Sequence, residues 1–426
     1  MYCTNKSTGH GRILAVSIAF AGVVISLNID ASGLSLNDVE QLALREDPSV
    51  EVLEANRLAL DELSVAAKQL PDPLLKVGMV SLPTDTFNLG QEAMTQVRLG
   101  LVQKFPRGDT RSLASRQIRQ RAEGLDETVR DQKLQIILAV REQFLEILKQ
   151  QHLANINAEA IRVFSELADI IQDYYATGQV HQQDVYQAAV ELAKVEERAM
   201  KISQEEDRAR ARLATWIDKA AYQNLEGDWP QLSSQSSIAV IKSKLSGHPR
   251  ILALGKNVAA SETGVELARE KYKPEFSFDL TYGGRAGTNP DGSSRSDLLS
   301  LMMVMDLPLF TNKRQDRVTA SRLAKSSAVM FTRDDVFRRM QSEIDFHAAT
   351  WQRQQERIEL FNSTLLPQAA FSSESSLEAY QSFFGDLTTL LRAQITEFEL
   401  RLDHARLQAE ALKTNARLLY LEGEFK

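Results

Sequence analysis

The residues able to do chemistry are few and scattered. His152, His181, His248, His347 and His404 fall at no spacing that would gather a zinc ion. Met302, Met303 and Met305 offer thioethers, which suit soft copper or silver ions. Met303 and Met305 share the parity of Leu301 and Leu307, however, so apolar packing accounts for them. No glycine-rich phosphate loop, nucleophile motif or clustered carboxylate pair occurs. The sequence is therefore expected to carry no catalytic residue, bound cofactor or metal centre. Aromatic side chains concentrate in two short stretches, 173–188 and 378–393, which also carry Asp173, Asp184, Glu378 and Asp386, and those stretches need an explanation in terms of the elements that hold them.

Proline placement supplies the frame. The chain has 426 residues and 11 prolines; none lies between Pro106 and Pro230, and only Pro367 follows Pro308. Proline costs a helix interior about 3 kcal/mol, so such tracts permit very long helices. Apolar spacing agrees. Ile156, Ala160, Val163, Leu167, Ile170 and Tyr174 step by fours and threes, as do Val185, Ala188, Leu192, Val195, Ala199 and Ile202. Leu391, Ile395, Phe398, Leu402, Ala405, Ala409, Leu412, Ala416 and Leu419 continue the pattern. Heptad-like seams of this kind belong to helices packed at shallow angles. Long helices are expected over about 109–176 and 312–380, each followed by a shorter one, about 180–218 and 386–423.

Four segments change period to strict alternation. Leu75, Val77 and Met79 oppose Lys76 and Gly78; Val97, Leu99, Leu101 and Phe105 oppose Gln96, Arg98 and Gly100. Phe276, Phe278, Leu280 and Tyr282 oppose Ser277, Asp279 and Thr281. Leu299, Leu301, Met303, Met305, Leu307 and Leu309 share one parity of the fourth strand. Strands of roughly 9–11 residues cross a bilayer when tilted. Pro71, Pro73, Pro274 and Pro308 are assigned to the places where the chain passes from helix into strand. Phe87 and Phe105, near strand ends, fit interfacial girdles.

The order helix, strand, strand, long helix, helix occurs twice. The division expected is a secretory leader over 1–33, a first repeat over 34–218, a linker over 219–238 and a second repeat over 239–426. The leader rests on Lys6, His10 and Arg12 ahead of an apolar run (13–27), then Ala31, Ser32 and Gly33. The one cysteine, Cys3, precedes that run, so neither a lipid anchor nor a disulfide is expected. A formal net charge of −7 argues against nucleic acid as partner, which would need a concentrated basic face.

Four strands cannot close a barrel, for which about eight is the minimum, and open edges in lipid cost several kcal/mol per group. Three copies would supply about twelve strands around a lumen. The competing class is a structural coiled-coil protein of the periplasm carrying a small soluble sheet.

Two motifs carry a resemblance. YATGQVHQQDVYQA (175–188) has Tyr175, Gly178 and Ala188 at the spacing of the TolC-like outer-membrane efflux proteins. YQSFFGDLTTLLRA (380–393) keeps Tyr380 and Ala393, with Phe383 at the glycine position and Gly385 two residues later. PDPLL (71–75) and QKFPRGDTR (103–111) look most like the heavy-metal branch, the CusC/CzcC-like exporters. The resemblance spans essentially the whole mature chain. It implies a mostly α protein with membrane β structure: an internally duplicated α-helical barrel on a trimeric 12-stranded β-barrel, four strands per chain. It further implies an outer-membrane homotrimer with helices in the periplasm, a periplasmic adaptor and an inner-membrane RND-type pump as partners, and passive export. Heavy-metal cations are the implied cargo; drugs or polypeptide remain open.

The same resemblance places a gate at the tip, with Tyr380, Asp386, Arg392, Asp184, Glu378 and Asp173 as gate or pore candidates. Related chains often carry aspartates just before the alanine of the second motif; here those positions are Thr389 and Arg392. Tyr380 reads equally as a gate-linking tyrosine and as a seam residue. Gly178 reads as the residue that lets a helix end in a tight turn.

Overall fold

The computed structural model describes residues 33–382 and 384–423. The expected leader, apart from Gly33, lies outside the described residues, as do Cys3 and Phe383.

Two short helices, α1 (Leu36–Glu46) and α2 (Pro48–Ala67), lead to strands β1 (Leu74–Val80) and β2 (Gln96–Phe105). Then come the rod α3 (Thr110–Ala176) and its partner α4 (Gln182–Ile217). The second half runs α5 (Ile238–Lys244), α6 (Pro249–Arg269), β3 (Phe276–Gly284) and β4 (Leu298–Met305). It continues with α7 (Gln315–Leu360), one π-helical turn (Phe361–Leu365), α8 (Leu366–Gln381) and α9 (Leu387–Glu422). With 67 residues α3 is roughly 100 Å long. The second rod is not continuous. Pro367 lacks the amide that would bond to Ser363, and the π turn sits directly against that gap.

Near the sheet α3 packs on α2 and α6; toward the far end it packs on α4 and α9, while α8 lies on α9. No single core forms. Apolar side chains gather in separate clusters strung along the rods. One holds Val140, Phe144, Ile147 and Leu213 at mid-height; another holds Phe164, Ile171, Leu390 and Phe398 near the tip. The α3 seam is rotated from the expected stripe: Phe164 and Ile171 are buried, whereas Ile170 is 41% exposed. Asn157 occupies a buried seam position because its amide donates to the Val195 carbonyl, 2.8 Å away. The α4 stripe matches the expected spacing, with Ala188, Val195 and Ile202 all buried.

The four strands form one antiparallel sheet in the order β1-β2-β3-β4. Register carries the apolar set across it: Val77 opposes Leu99, Leu99 opposes Tyr282, and Tyr282 opposes Leu299. Gly100 opposes Lys76 and Thr281, and Asp279 opposes Val102 and Met302, so the other face is the polar one. Met302 therefore parts company with Met303 and Met305.

Two sequence readings are corrected. β1 and β4, with 7 and 8 residues, are shorter than expected. Leu307 and Leu309 lie beyond β4, and Pro308 marks the exit from a strand, not the way in. Proline has no N–H for the ladder, so pairing stops at Met305, where Asp306 turns its carboxylate to the Glu275 amide. Pro71, Pro73 and Pro274 do precede strands β1 and β3.

At mid-height Glu146 of α3 ties the two halves together. Burial alone would raise its pKa, but hydrogen bonds from Lys149 and Lys413 outweigh this and hold it at about 2. Lys413, on α9, lies 2.5 Å from the Glu146 carboxylate. A carboxyl whose folded pKa is depressed stabilises the fold above its unfolded pKa of about 4.3 and loses that contribution as pH falls. Unfolding measured from pH 5 to pH 2 should therefore show a loss of up to about 3 kcal/mol in this window. Glu146→Gln should remove that component; an unchanged pH profile in the variant would show the pair to be inconsequential.

Candidate functional site

Two places stand out: the face and edges of the sheet, and the far tip of the helices. On the sheet the usual burial is inverted. Val77 and Leu301 of the apolar face are 71% and 72% exposed, whereas Asp279 of the polar face is 6% exposed. Thr281 donates to Asp279 at 2.7 Å, and Lys76 pairs with the same carboxylate from two strands away. Arg98 reaches Gln96 at 3.1 Å on this face. A soluble sheet hides its apolar side; here the central strands bury polar-face positions (Gln96, Gly100 and Asp279) while the apolar face stays exposed, and Met302 and Val304 on the polar parity of β4 are exposed too. Strands β1 and β4 each keep one edge without a ladder partner among the described residues. The Lys76–Asp279 pair was not anticipated from sequence, although both residues fall on the polar parity of their strands.

At the tip, α3 ends in a double-bonded turn. Gly178 has φ +75°, its N–H donates to the Tyr175 carbonyl (3.0 Å), and the Gln179 N–H donates to the Tyr174 carbonyl (2.8 Å). This is the Schellman arrangement, which favours glycine at the left-handed position. A Cβ on Gly178 would meet nothing within 4 Å, so conformation alone selects glycine there. In the second half the Phe384 N–H makes the corresponding long-reach bond, to the Ala379 carbonyl (2.9 Å). Gly385 serves a different need. A Cβ there would lie 3.1 Å from the Tyr380 nitrogen, so close approach of the backbone to the helix end selects it.

The candidate gate residues fall into three groups. Asp386 and Asp184 are helix caps. Asp386 accepts from the Thr389 N–H (2.9 Å) and hydroxyl (2.7 Å), and these bonds hold its carboxyl below the usual range. Asp184 accepts from the His181 N–H at 2.9 Å. Asp173, Glu378 and Arg392 are exposed, and no carboxylate–cation pair engages them among the described residues. Tyr380 lies in the α3–α8–α9 seam, 9% exposed, with its ring 6.4 Å from that of Tyr174. Its hydroxyl is buried with no hydrogen-bond partner among the described residues, and burial, with Tyr174 and Asp184 nearby, raises its pKa. Of the motif residues, Ala188 is buried in the same cluster, Tyr175 is 46% exposed and Ala393 is half-buried.

The histidines are dispersed. His152 stacks on Trp229 of the linker at 4.4 Å, His404 stacks on Phe361 of the π turn at 5.6 Å, and His248 caps α6. No group of three or more potential metal ligands occurs among the described residues. No described helix is long and apolar enough to cross a membrane, which has no bearing on strands.

Replacing Gly178 with alanine forces a Cβ into the left-handed region and should lower stability by about 1 kcal/mol in denaturant unfolding. A neutral result would remove the conformational argument. Tyr380→Phe deletes a buried hydroxyl without a partner and should leave stability within about 0.5 kcal/mol, while Tyr380→Ala should cost about 3 kcal/mol. A large cost for the phenylalanine variant would show that the hydroxyl is engaged.

No protein-family profile and no curated protein sequence matches the chain. Solved structures do match. The outer membrane protein VceC from Vibrio cholerae is similar with a TM-score of 0.77 at 18% identity, over 91% of this chain and 96% of that one. CusC, described through its folding and transmembrane channel formation, gives 0.76 at 14% identity, over 92% of each chain. The Campylobacter jejuni CmeC outer membrane channel gives 0.76 at 13% identity, over 91% of this chain and 85% of that one. The fold, a helical assembly with a small four-stranded sheet, is that of these channel subunits.

Proposed function

We propose that three copies of this chain form an outer-membrane channel and serve as the passive exit duct of a tripartite efflux pump. The observation that carries this reading is the inverted sheet, apolar on its accessible face and open at both edges. Backbone groups at such edges cost several kcal/mol each in lipid, and only closure removes them. Pairing β4 of one copy with β1 of the next supplies the missing ladders. It puts the apolar face toward lipid and the Lys76–Asp279 face toward a water-filled lumen.

The helices support the same arithmetic. The outlying helices expose large apolar groups, among them Val65 of α2 (59%), Phe331 of α7 (69%), Met200 of α4 (73%) and Phe371 of α8 (73%). Neighbouring copies would cover them and continue the lumen as a helical tube into the periplasm. In this reading the chain is built from two repeats, 34–218 and 239–426, and the leader over 1–33 directs export. A periplasmic adaptor and an RND-type pump are the partners, supported by the motifs at 175–188 and 380–393.

The tip is the gate. Asp184 and Asp386 are committed to capping, so Asp173, Glu378 and Arg392 are the groups free to line its aperture. Heavy-metal cations are the cargo favoured by PDPLL and QKFPRGDTR. The sheet adds nothing toward cation selection: its polar face carries Lys76, Arg98 and Lys104 against Asp279. Discrimination then belongs to the pump, and the channel does no chemistry.

The face assignment can be tested directly. Leu301→Arg places a charge at the centre of the apolar face and should cost barrel assembly about 2–4 kcal/mol, read as loss of the detergent-resistant oligomer. Ser300→Arg, one residue away on the polar face, should assemble nearly as well as the parent. Equal damage from both would remove the lumen-and-lipid reading, as would a stable monomer extracted without detergent.

A further inference from the structure

Where the strands run down into the helices, each half repeats the same order of side chains. Phe105 is followed by Arg107 and Arg111; Phe310 is followed by Lys313, Arg314 and Arg317. In the second half this stretch borders a groove of about 980 Å³, between the start of α7 and the segment joining α6 to β3. Six cations line it: Arg107, Lys271, Lys313, Arg314, Arg317 and Arg322, with Glu275 as the sole acidic lining residue. Arg107 is already paired, with Asp306 at 2.6 Å and Glu275 at 3.5 Å. The remaining five have no carboxylate partner within 4.0 Å among the described residues. Like charges held together without counter-charges repel, and their potential attracts an anion.

Two further features belong to the groove. Gln315 is 7% exposed, and its side-chain oxygen is buried without a hydrogen-bond partner. Immediately toward the sheet, Leu307, Leu309 and Phe310 are 60%, 72% and 81% exposed. Along the chain the order is thus aliphatic, aromatic, cationic. That is the order of environments met on leaving a bilayer: hydrocarbon, interface, headgroup phosphate.

We propose that this groove binds the phosphate of an anionic phospholipid in the leaflet nearest the helices. Arginine forks at 314, 317 and 322 match phosphate oxygens, and Lys271 and Lys313 add point charge. Basic residues beside an anionic leaflet are attracted to it, so five of them anchor the junction of sheet and rods at a fixed depth. The inference rests on the membrane reading for the source of the phosphate; free phosphate has the same chemistry.

The test uses the full-length protein in uncharged detergent, with phosphatidylglycerol, phosphatidylcholine and inorganic phosphate as separate probes and native mass spectrometry as readout. The expected result is retention of phosphatidylglycerol over phosphatidylcholine. The combined Lys313→Gln, Arg314→Gln, Arg317→Gln and Arg322→Gln variant should retain at least tenfold less, with its helix content unchanged by circular dichroism. Glu275→Gln, which removes the acidic wall and the longer of the two Arg107 ion pairs while leaving the five unpaired cations in place, should retain more than the parent, and it decides the matter if the combined variant does not fold. Phosphatidylglycerol retention indifferent to both variants overturns the site. Binding of inorganic phosphate without lipid overturns the lipid source. Loss of the oligomer in the combined variant, with no lipid held by the parent, assigns the groove to a contact between copies and likewise overturns the proposal. A protein that needs no detergent would instead defeat the membrane reading, which fractionation shows independently of lipid binding.

Discussion

Backbone hydrogen bonding at the two ends of a four-stranded sheet governs this molecule. β1 and β4 each present a row of N–H and C=O groups that no ladder among the described residues engages, on a sheet with an exposed apolar face. In water such a strip invites aggregation; in lipid each unpaired group costs several kcal/mol. Charged edge residues, bulges or a covering helix would blunt the edges, but β4 is Leu-Met-Val-rich throughout. The sequence has therefore been kept ready for continuation by another strand. Identical copies can supply that strand because β4 and β1 run at opposite ends of one antiparallel order.

The rods follow from the same constraint. On the proposed reading, a sheet that closes through copies leaves each chain as one sector of a tube, and a sector has no centre. That is why the apolar clusters are strung out lengthwise and why α3, the one uninterrupted rod, touches α2, α4, α6 and α9 in turn. Links between the halves fall at places where the rods cross levels. Glu146 with Lys413 is one; Tyr420, donating to Asp131 at 3.0 Å, is another. These polar contacts fix the vertical register of α9 against α3, which heptad packing alone leaves free to slip by a turn.

Helix extents were legible because proline-free tracts and caps are local properties. The span read as about 109–176 is Thr110–Ala176, and the shorter partners end within a few residues of expectation. Strand faces were legible because period two is a local property too. Quantities set by neighbours were not. Asn157 looks like a surface residue until Val195 is placed opposite it. Asp386 looks like a pore acid until the Thr389 amide is seen to need an acceptor. Tyr380 looked equally suited to gate and seam; only packing against Tyr174 shows where its ring lies. The basic groove was not legible, because Lys271 and Arg107, which complete it with Lys313, Arg314 and Arg317, come from distant segments.

The two halves are alike in order but unlike in stiffness, and the difference has a mechanical consequence. α3 keeps its hydrogen-bond ladder from sheet to tip. The second rod gives it up at Phe361–Leu365, where a π turn and Pro367 interrupt it between α7 and α8. Bending concentrates where a ladder is already broken, because there it sacrifices few further bonds. Below that break α8 is packed on α9, whereas the tip half of α3 is held by both α4 and α9. His404 of α9 stacks on Phe361 at the break itself, so displacement of α8 must either carry α9 along or part those rings. On the proposed channel reading, bending of the second half concentrates at the π turn, since α3 keeps an unbroken ladder and is held by both α4 and α9.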